Sequence, residues 1–486
     1  MSCHRVLVAT LVLAPATACQ VADADLGQVA AGLTGSEAAG AESGPAIDLV
    51  AIGTISGERA DLSRATSGSL ENGVAGNRLG GLGSGIEYAG FGTFLVVPDR
   101  GPNAVAYDAA VDDTTSYINR VQTLFMDLGP GAPGAALPLA VTPVLVRTTL
   151  LHSSQPLHYG SDSELGDGAP ALNRAHRTYY FTGRSDNFAP AGVSTDPGDA
   201  RLDPESVRLS RDGRHVYLSD EYGPHIYEFD RLTGRRVRTL ALPAEFAVAA
   251  QSPQGDREIA SNTTGRVANK GMEGLAITPD GDLLVGAMQS PLLQDGGTAA
   301  QYPRIVTIDL HTGQTRQYAY PLTNIGTVKK PKYPTISEIL AINDHEFLVD
   351  ERDGKGLGDD SAAAFKTIFH IDLAGARDVT GVVGEANLAG AAVAKSVFVD
   401  LVELLTSHGI AATEIPAKLE GLTFGPDEII AGERRHTLWV SNDNDFLSTL
   451  VDSHHPAGIA NPNQFFVLAI APALLPGFAG CPLGRR

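Results

Sequence analysis

Residues 203–224 read DPESVRLSRDGRHVYLSDEYGP. Two runs that alternate apolar and polar residues flank Asp212 and Gly213, the pattern of a β-hairpin closed by a tight turn. Acids are poor strand formers, yet Asp203 and Glu205 open the stretch and Asp220 and Glu221 end it. A hairpin folds its far ends together, so these carboxylates meet, and something must offset their repulsion.

The stretch has relatives along the chain. MEGLAITPDGDLLVGAMQSPL (272–292), SEILAINDHEFLVDERDGKG (337–356), LEGLTFGPD followed by HTLWVSNDNDF (419–446) and GLGSGIEYAGFGTFLVVPDRGPN (81–103) share its plan. Each has a small strand, a turn and a second apolar strand with a polar end. In four copies a glutamate opens the first strand: Glu205, Glu273, Glu338 and Glu420, at spacings of 68, 65 and 82 residues. Third and fourth strands follow, as in HIYEFD and RRVRTLALP, PRIVTIDL and QTRQYAYPL, and KTIFHIDL. Four-stranded antiparallel units repeating at this length predict an all-β fold, a β-propeller. Five repeats are readable, and the 121 residues from Ser84 to Glu205 leave room for a sixth. The runs IDLVAIGTI (47–55) and QFFVLAI (464–470) are expected to share one blade and close the ring. A small helical insertion is expected over 395–408, where Val397, Leu401, Leu404 and Leu405 share one face and Gly409 follows.

The chain of 486 residues is 43% apolar, enough for a large core, and carries a net charge of −20. That balance disfavours nucleic acid or an anionic membrane as partner and favours cations. The N-terminus, with one arginine, an apolar run from Val6 to Leu13 and small residues up to Ala18, predicts an export signal over 1–19. Two fates are open for it: lipid attachment at Cys19 or cleavage after Ala18. Residues 20–46, rich in Ala, Gly and Ser, read as a flexible tether, and 47–486 as the propeller domain. Periplasmic, extracellular and lipid-anchored outer-surface locations all fit. Cys481 lacks an intramolecular partner in this domain, so no disulfide framework is expected. A closed ring has no open sheet edge, which predicts a monomer.

The first two strands of a blade are antiparallel, so the start of one and the end of the other lie at one face of the disc. Glu205, Glu273, Glu338 and Glu420 are expected around one channel mouth. Asp99, Asp220, Glu221, Asp350, Glu351, Asp443 and Asp445 should stand just outside, and Arg100, Lys270, Arg352 and Lys418 nearby. Eleven carboxylates against four cations must protonate, pair or bind a cation. Oxygen-only donors from separate blades suit a hard ion of tolerant geometry, and Ca²⁺ is the expected cofactor. Glutamates at this place also have a purely structural reading, as acceptors from the backbone of neighbouring blades. No G-x-S-x-G, H-E-x-x-H, Walker or EF-hand pattern occurs, and Ser84 has no histidine placed for it by sequence.

Together, DPESVRLS…YLSDEYGP, GMEGLAITPDGDLL…QSPLLQDGG, FLVDER and KLEGLTFGPD…LWVSNDNDF resemble the phytase-like family, described as esterase-like activity of phytase, over roughly residues 48–470. The resemblance implies an exported propeller that hydrolyses phosphate or other esters. It also implies that Asp99, Glu205, Glu221, Glu273, Glu351, Glu420 and Asp443 are the motif acids, with Arg100 and Arg352 beside them; Gln289 stands where an acid is common in the family. Three functions remain open. One is Ca²⁺-dependent hydrolysis of a small anionic phosphoric ester, with Glu205, Glu273, Arg100, Arg352 and Lys270 as the working groups. The others are a lactonase or carboxylic esterase, and a binding propeller without catalysis.

Overall fold

In the computed structural model, residues 45–160, 168–174 and 177–480 are described. The expected signal peptide with Cys19, the tether up to residue 44, most of the acidic stretch SDSELGDG (161–168) and Cys481 lie outside them.

Five four-stranded antiparallel sheets follow one another along the chain. Blade 1 is Gly85–Tyr88, Thr93–Val97, Arg120–Phe125 and Val144–Leu150. Blade 2 is Pro204–Leu209, His215–Asp220, His225–Asp230 and Arg236–Leu240. Blade 3 is Met272–Ile277, Leu283–Met288, Arg304–Asp309 and Thr315–Ala319. Blade 4 is Thr335–Ala341, Glu346–Arg352, Lys366–Asp372 and Lys395–Asp400. Blade 5 takes Leu419–Phe424, Glu433–Asn442 and Asn463–Ile470 from the C-terminal part, and its outer strand, Ile47–Ile55, from the N-terminal part. Successive innermost strands touch, and the first touches the last, so the fold is a closed five-bladed propeller.

The inner hairpins owe their turns to short polar side chains. Asp212 Oδ1 accepts from the Arg214 backbone at 3.0 Å, Asp280 Oδ1 from Asp282 at 3.0 Å, and Asn343 Oδ1 from His345 at 3.0 Å. Gly213 and Gly281 supply the left-handed backbone, at φ +72° and +80°. Each innermost strand is walled by neighbours on both sides, and crowding at the axis selects small residues. A Cβ on Gly274 would lie 2.7 Å from the Ile339 backbone nitrogen of the next blade. Apolar clusters fill the spaces between blades: Leu340, Leu348 and Ile368 of blade 4 pack with Leu422, Leu438 and Phe466 of blade 5.

No sixth blade exists among the described residues. The room left for it is occupied by one two-residue strand pair, His152–Ser153 with Tyr179–Tyr180, and by loops. Residues 151–203 lack the apolar alternation that a four-stranded unit needs. The insertion over 395–408 divides in two. Residues 395–400 form the outer strand of blade 4, where Val397 is exposed, and only Leu401–Ser407 is helical, capped by Asp400 accepting from the Glu403 backbone at 3.0 Å. No described helix is long and apolar enough to cross a membrane.

The channel is blocked. Arg208 of blade 2 donates through Nη1 to the carbonyls of Ile86 (2.9 Å) and Val207 (2.7 Å), and through Nη2 to those of Ile339 and Leu422 (3.2 Å each). It thereby ties blades 1, 2, 4 and 5 across the axis, and the two faces of the disc are separate environments.

Candidate functional site

One irregularity builds the mouth. In blades 2 to 5 the pairing of the first two strands slips near its start, after the first pair in blades 2, 3 and 5 and after the second in blade 4: between Pro204 and Val207, Met272 and Gly274, Ile336 and Glu338, and Leu419 and Leu422. An extra residue at a bulge leaves the ladder and re-aims its side chain. In register, the residues at this place are Glu205, Glu273, Ser337 and Glu420, with Ser84 in the matching position before Gly85 of blade 1. A second set stands at or just past the end of each second strand: Asp99, Glu221, Gln289, Arg352 and Asp443. All ten are buried.

Asp203, Glu205 and Glu221 each bring a carboxylate oxygen within 4.8 Å of the other two. Asp203 also accepts from the backbone of Arg100 at 2.9 Å and pairs with its guanidinium, which reaches Asn269 as well. Glu221 accepts from the Gly271 backbone at 3.1 Å. Lys270 donates to Gln289 at 2.6 Å. Across the mouth, Arg352 pairs with Glu420, and Lys418 pairs with Asp443 at 2.8 Å and with Asp445. Four buried oxygens of the first set have no hydrogen-bond partner: Ser84 Oγ, Glu273 Oε2, Ser337 Oγ and Glu420 Oε2.

Burial, reinforced by Asp203 and Glu273, raises the Glu205 carboxyl well above the usual range. Burial with Glu221 and Glu420 does the same for Glu273, and burial with Asp443 and Asp203 for Asp99. Glu221 is raised by burial and Asp203, and burial pushes Asp443 up to about 6. Burial depresses the Lys270 ammonium. The mouth thus holds more carboxylates than its cations neutralise, and near neutral pH it must keep protons or take up a cation. Oxygen donors alone, several without partners, fit a hard divalent ion, with Asp203, Glu205 and Glu221 as its nearest carboxylates.

Four expected acids of the ring and its surround stand elsewhere. Glu338 lies one residue past the bulge, at the place of Ser206 and Gly274; inside the channel it pairs with Arg208 at 2.9 Å and accepts from Ser206 and from the Leu275 backbone. Its spacing of 65 from Glu273 hid a one-residue offset, and Ser337 is the true counterpart. Glu351 turns outward between blades, where it accepts from Tyr320 Oη at 2.7 Å and the Thr323 backbone at 3.0 Å and pairs with Lys395. Asp220 organises the following turn, accepting from the backbones of Asp203 (2.9 Å), Tyr222 (3.1 Å) and Gly223 (2.9 Å) and facing His225. Asp350, also expected just outside the ring, is buried without a partner for either oxygen, which raises it to about 8. The structure adds Asp203, whose signal was its place at the head of the 203–224 stretch, and Ser337, which only register could reveal; Ser84 stands at the matching position expected from the sequence.

A family model described as "Phytase-like: Esterase-like activity of phytase" matches residues 77–446. An "Uncharacterized secreted protein" of Arthroderma benhamiae is 30% identical over 331 residues, 57% of this chain and 60% of that protein. The chain therefore spans about 60% of the length of this curated relative. Among solved structures, the Pseudomonas aeruginosa periplasmic gluconolactonase is 13% identical with a TM-score of 0.31, over 79% of this chain and 88% of that one. The major Malassezia sympodialis allergen is 12% identical with a TM-score of 0.32, over 82% and 79%. Neither likeness is strong enough to bear on activity. The family match spans both sets of mouth residues from Ser84 to Asp443, and the chain belongs to the phytase-like family, described as esterase-like activity of phytase.

Proposed function

We propose that this protein is an exported, metal-dependent hydrolase of small anionic phosphoric esters, with Ca²⁺ as its ion and the acidic mouth as its site. The observation that carries this reading is the buried trio Asp203, Glu205 and Glu221, within 4.8 Å of one another. Unpartnered oxygens on Glu273 and Glu420 add to it. A bound calcium ion would supply positive charge to reverse the sign of the mouth, polarise a phosphoryl oxygen and make water a better nucleophile.

The remaining tasks fall to side chains already in place. Arg100, held by Asp203 and Asn269, presents a guanidinium to an incoming anion and steadies charge that develops on it. Lys270 and Arg352 both lie close enough to Glu273 to contribute positive potential there. Glu273 is suited to hold a proton near neutral pH and to donate it to a leaving oxygen, because burial and its acidic neighbours favour its neutral form. Export is the reading that fits the N-terminal sequence and the description of the fungal relative as secreted.

The test is phosphate release from phytate and from an aryl phosphate, by protein stripped of metal and then supplied with calcium or with chelator. Calcium-dependent release that is lost in Glu205→Gln, with the fold intact, is expected. Release that survives complete removal of calcium refutes the metal-dependent reading. Hydrolysis of lactones or aryl acetates without any phosphate release would replace it with the carboxylic esterase reading.

A further inference from the structure

The face opposite the mouth carries a second charged cleft, of about 800 Å³, between blades 1 and 2. Its walls are the turns at Asp212–Arg214 and Asp230–Leu232 and the outer-strand residues Val146 and Arg147. Neither Arg147 nor Arg231 forms an ion pair with a described carboxylate. Arg147 donates to Thr149 Oγ1 at 3.2 Å and to the Leu232 carbonyl, and Arg231 to the Gly213 carbonyl at 3.4 Å. The two guanidiniums are close enough to disturb each other: burial, and then Arg147, lowers the affinity of Arg231 for its proton.

The acids on the rim do little to relieve this. Asp212 is engaged with Ser210 and the Arg214 backbone, and Asp230 with the Leu232 and Thr233 backbones and Thr233 Oγ1. His215 is taken by Glu228 at 3.0 Å, and Arg214 stands 3.9 Å from Asp212. Three guanidiniums therefore face two engaged carboxylates, in a chain whose net charge is −20. Paired like charges without a counter-ion oppose folding unless an anion joins them, and guanidinium forks match tetrahedral oxyanions in geometry. Exposed Val146 and Leu232 offer an apolar lip beside them.

We propose that this cleft binds the phosphate or sulfate group of a small organic molecule, gripped by Arg147 and Arg231, with its apolar part against Val146 and Leu232. The site is independent of the mouth and of its metal.

Isothermal titration in chelator with inorganic phosphate, sulfate and phenyl phosphate tests it. Expected are saturable binding, tightest for phenyl phosphate, weakening as salt rises, and a loss of about tenfold or more in Arg147→Gln and in Arg231→Gln. Arg147→Lys, which keeps the charge but loses the fork, should fall between. Glu205→Gln at the mouth should bind as the parent does. Thermal melts establish that each variant is folded, and Arg147→Lys stands in if a glutamine variant is not. Absence of binding by the parent, or equal binding by the arginine variants, overturns the site. Equal affinity for inorganic and phenyl phosphate overturns the organic ligand.

Discussion

Glu205→Gln should make the metal-free protein more stable while abolishing its response to calcium. Glu205 shares the buried trio with Asp203 and Glu221, all within 4.8 Å. At an effective dielectric of about 20, each ionised pair at that separation repels by roughly 3.5 kcal/mol. Arg100 largely cancels the Asp203 term, which leaves the Glu221 pair at about 3.5 kcal/mol near pH 8, less than the roughly 5 kcal/mol that holding a proton on an ordinary glutamate costs at that pH. The folded pKa of Glu205 is raised, so the folded chain holds a proton that the unfolded chain releases, and calcium-free stability from this group falls as pH rises above the ordinary glutamate range. A domain of roughly 440 residues unfolds with about 0.9 kcal/mol/K of entropy, so the substitution should raise the calcium-free Tm by about 4 °C at pH 8. In the parent, calcium at about 100 times its Kd adds about 2.7 kcal/mol, or about 3 °C. That shift should vanish in the variant, and it should shrink in the parent at pH 5, where protons occupy the carboxylates. Calorimetry with calcium or chelator at both pH values reads all four quantities. A variant that melts below its parent without calcium and keeps the full calcium shift would refute the reasoning, because Glu205 would then be a structural acceptor.

Three further outcomes follow from the placement of charges. Arg208→Met leaves Glu338 buried without its counter-charge and frees carbonyls of four blades, so stability should drop by about 3–5 kcal/mol at pH 8 and less at pH 5, with the calcium shift intact, as read by melts. Glu351→Gln weakens contacts to Tyr320, Thr323 and Lys395 and should cost about 2–4 kcal/mol without changing calcium-dependent phosphate release; a loss of release in folded protein would return Glu351 to the site. Burial raises Glu87 and Glu338 to about 7, so between the ordinary glutamate range and pH 7 the folded chain binds more protons than the unfolded one. Stability should therefore fall across that window by about 3 kcal/mol per group, and Glu87→Gln should flatten the slope of Tm against pH.

The fold was legible because each inner hairpin carries its own turn chemistry. Asp212-Gly213, Asp280-Gly281 and Asn343-Asp344 mark the same bend, and the spacing between them counts four strands. The joining of Ile47–Ile55 to Asn463–Ile470 was legible for a related reason, since each end had an apolar strand and no partner nearby in sequence. The blade count was not settled, because length alone cannot separate a further blade from a long connection between blades. Register was harder still. A bulge adds one residue without altering composition, so Ser337-Glu338 reads like Met272-Glu273 until the pairing of Ile336 with Glu351 and of Glu338 with Asp350 is seen. The acidic mouth was expected, but which acids point into it depended on that single residue.

The same register explains why the mouth is lopsided. On blades 4 and 5 the carboxylates come with their own cations: Arg352 sits on Glu420, and Lys418 on Asp443 and Asp445. On blades 2 and 3, Glu205, Glu221 and Glu273 have no ion pair among the described residues; the nearby Arg100 pairs with Asp203, and Lys270 donates to the neutral Gln289. An acid at Gln289 would draw Lys270 away and add to the excess; a neutral residue there leaves the ammonium free to turn toward an incoming anion. The uncompensated charge is thus gathered on one side of the axis, beside the guanidinium and ammonium groups best placed to receive an anion. Gln289→Glu tests this asymmetry. It should tighten calcium binding through the added carboxylate and slow phosphate release through the loss of Lys270, two changes of opposite sign that a uniform acidic ring would not produce.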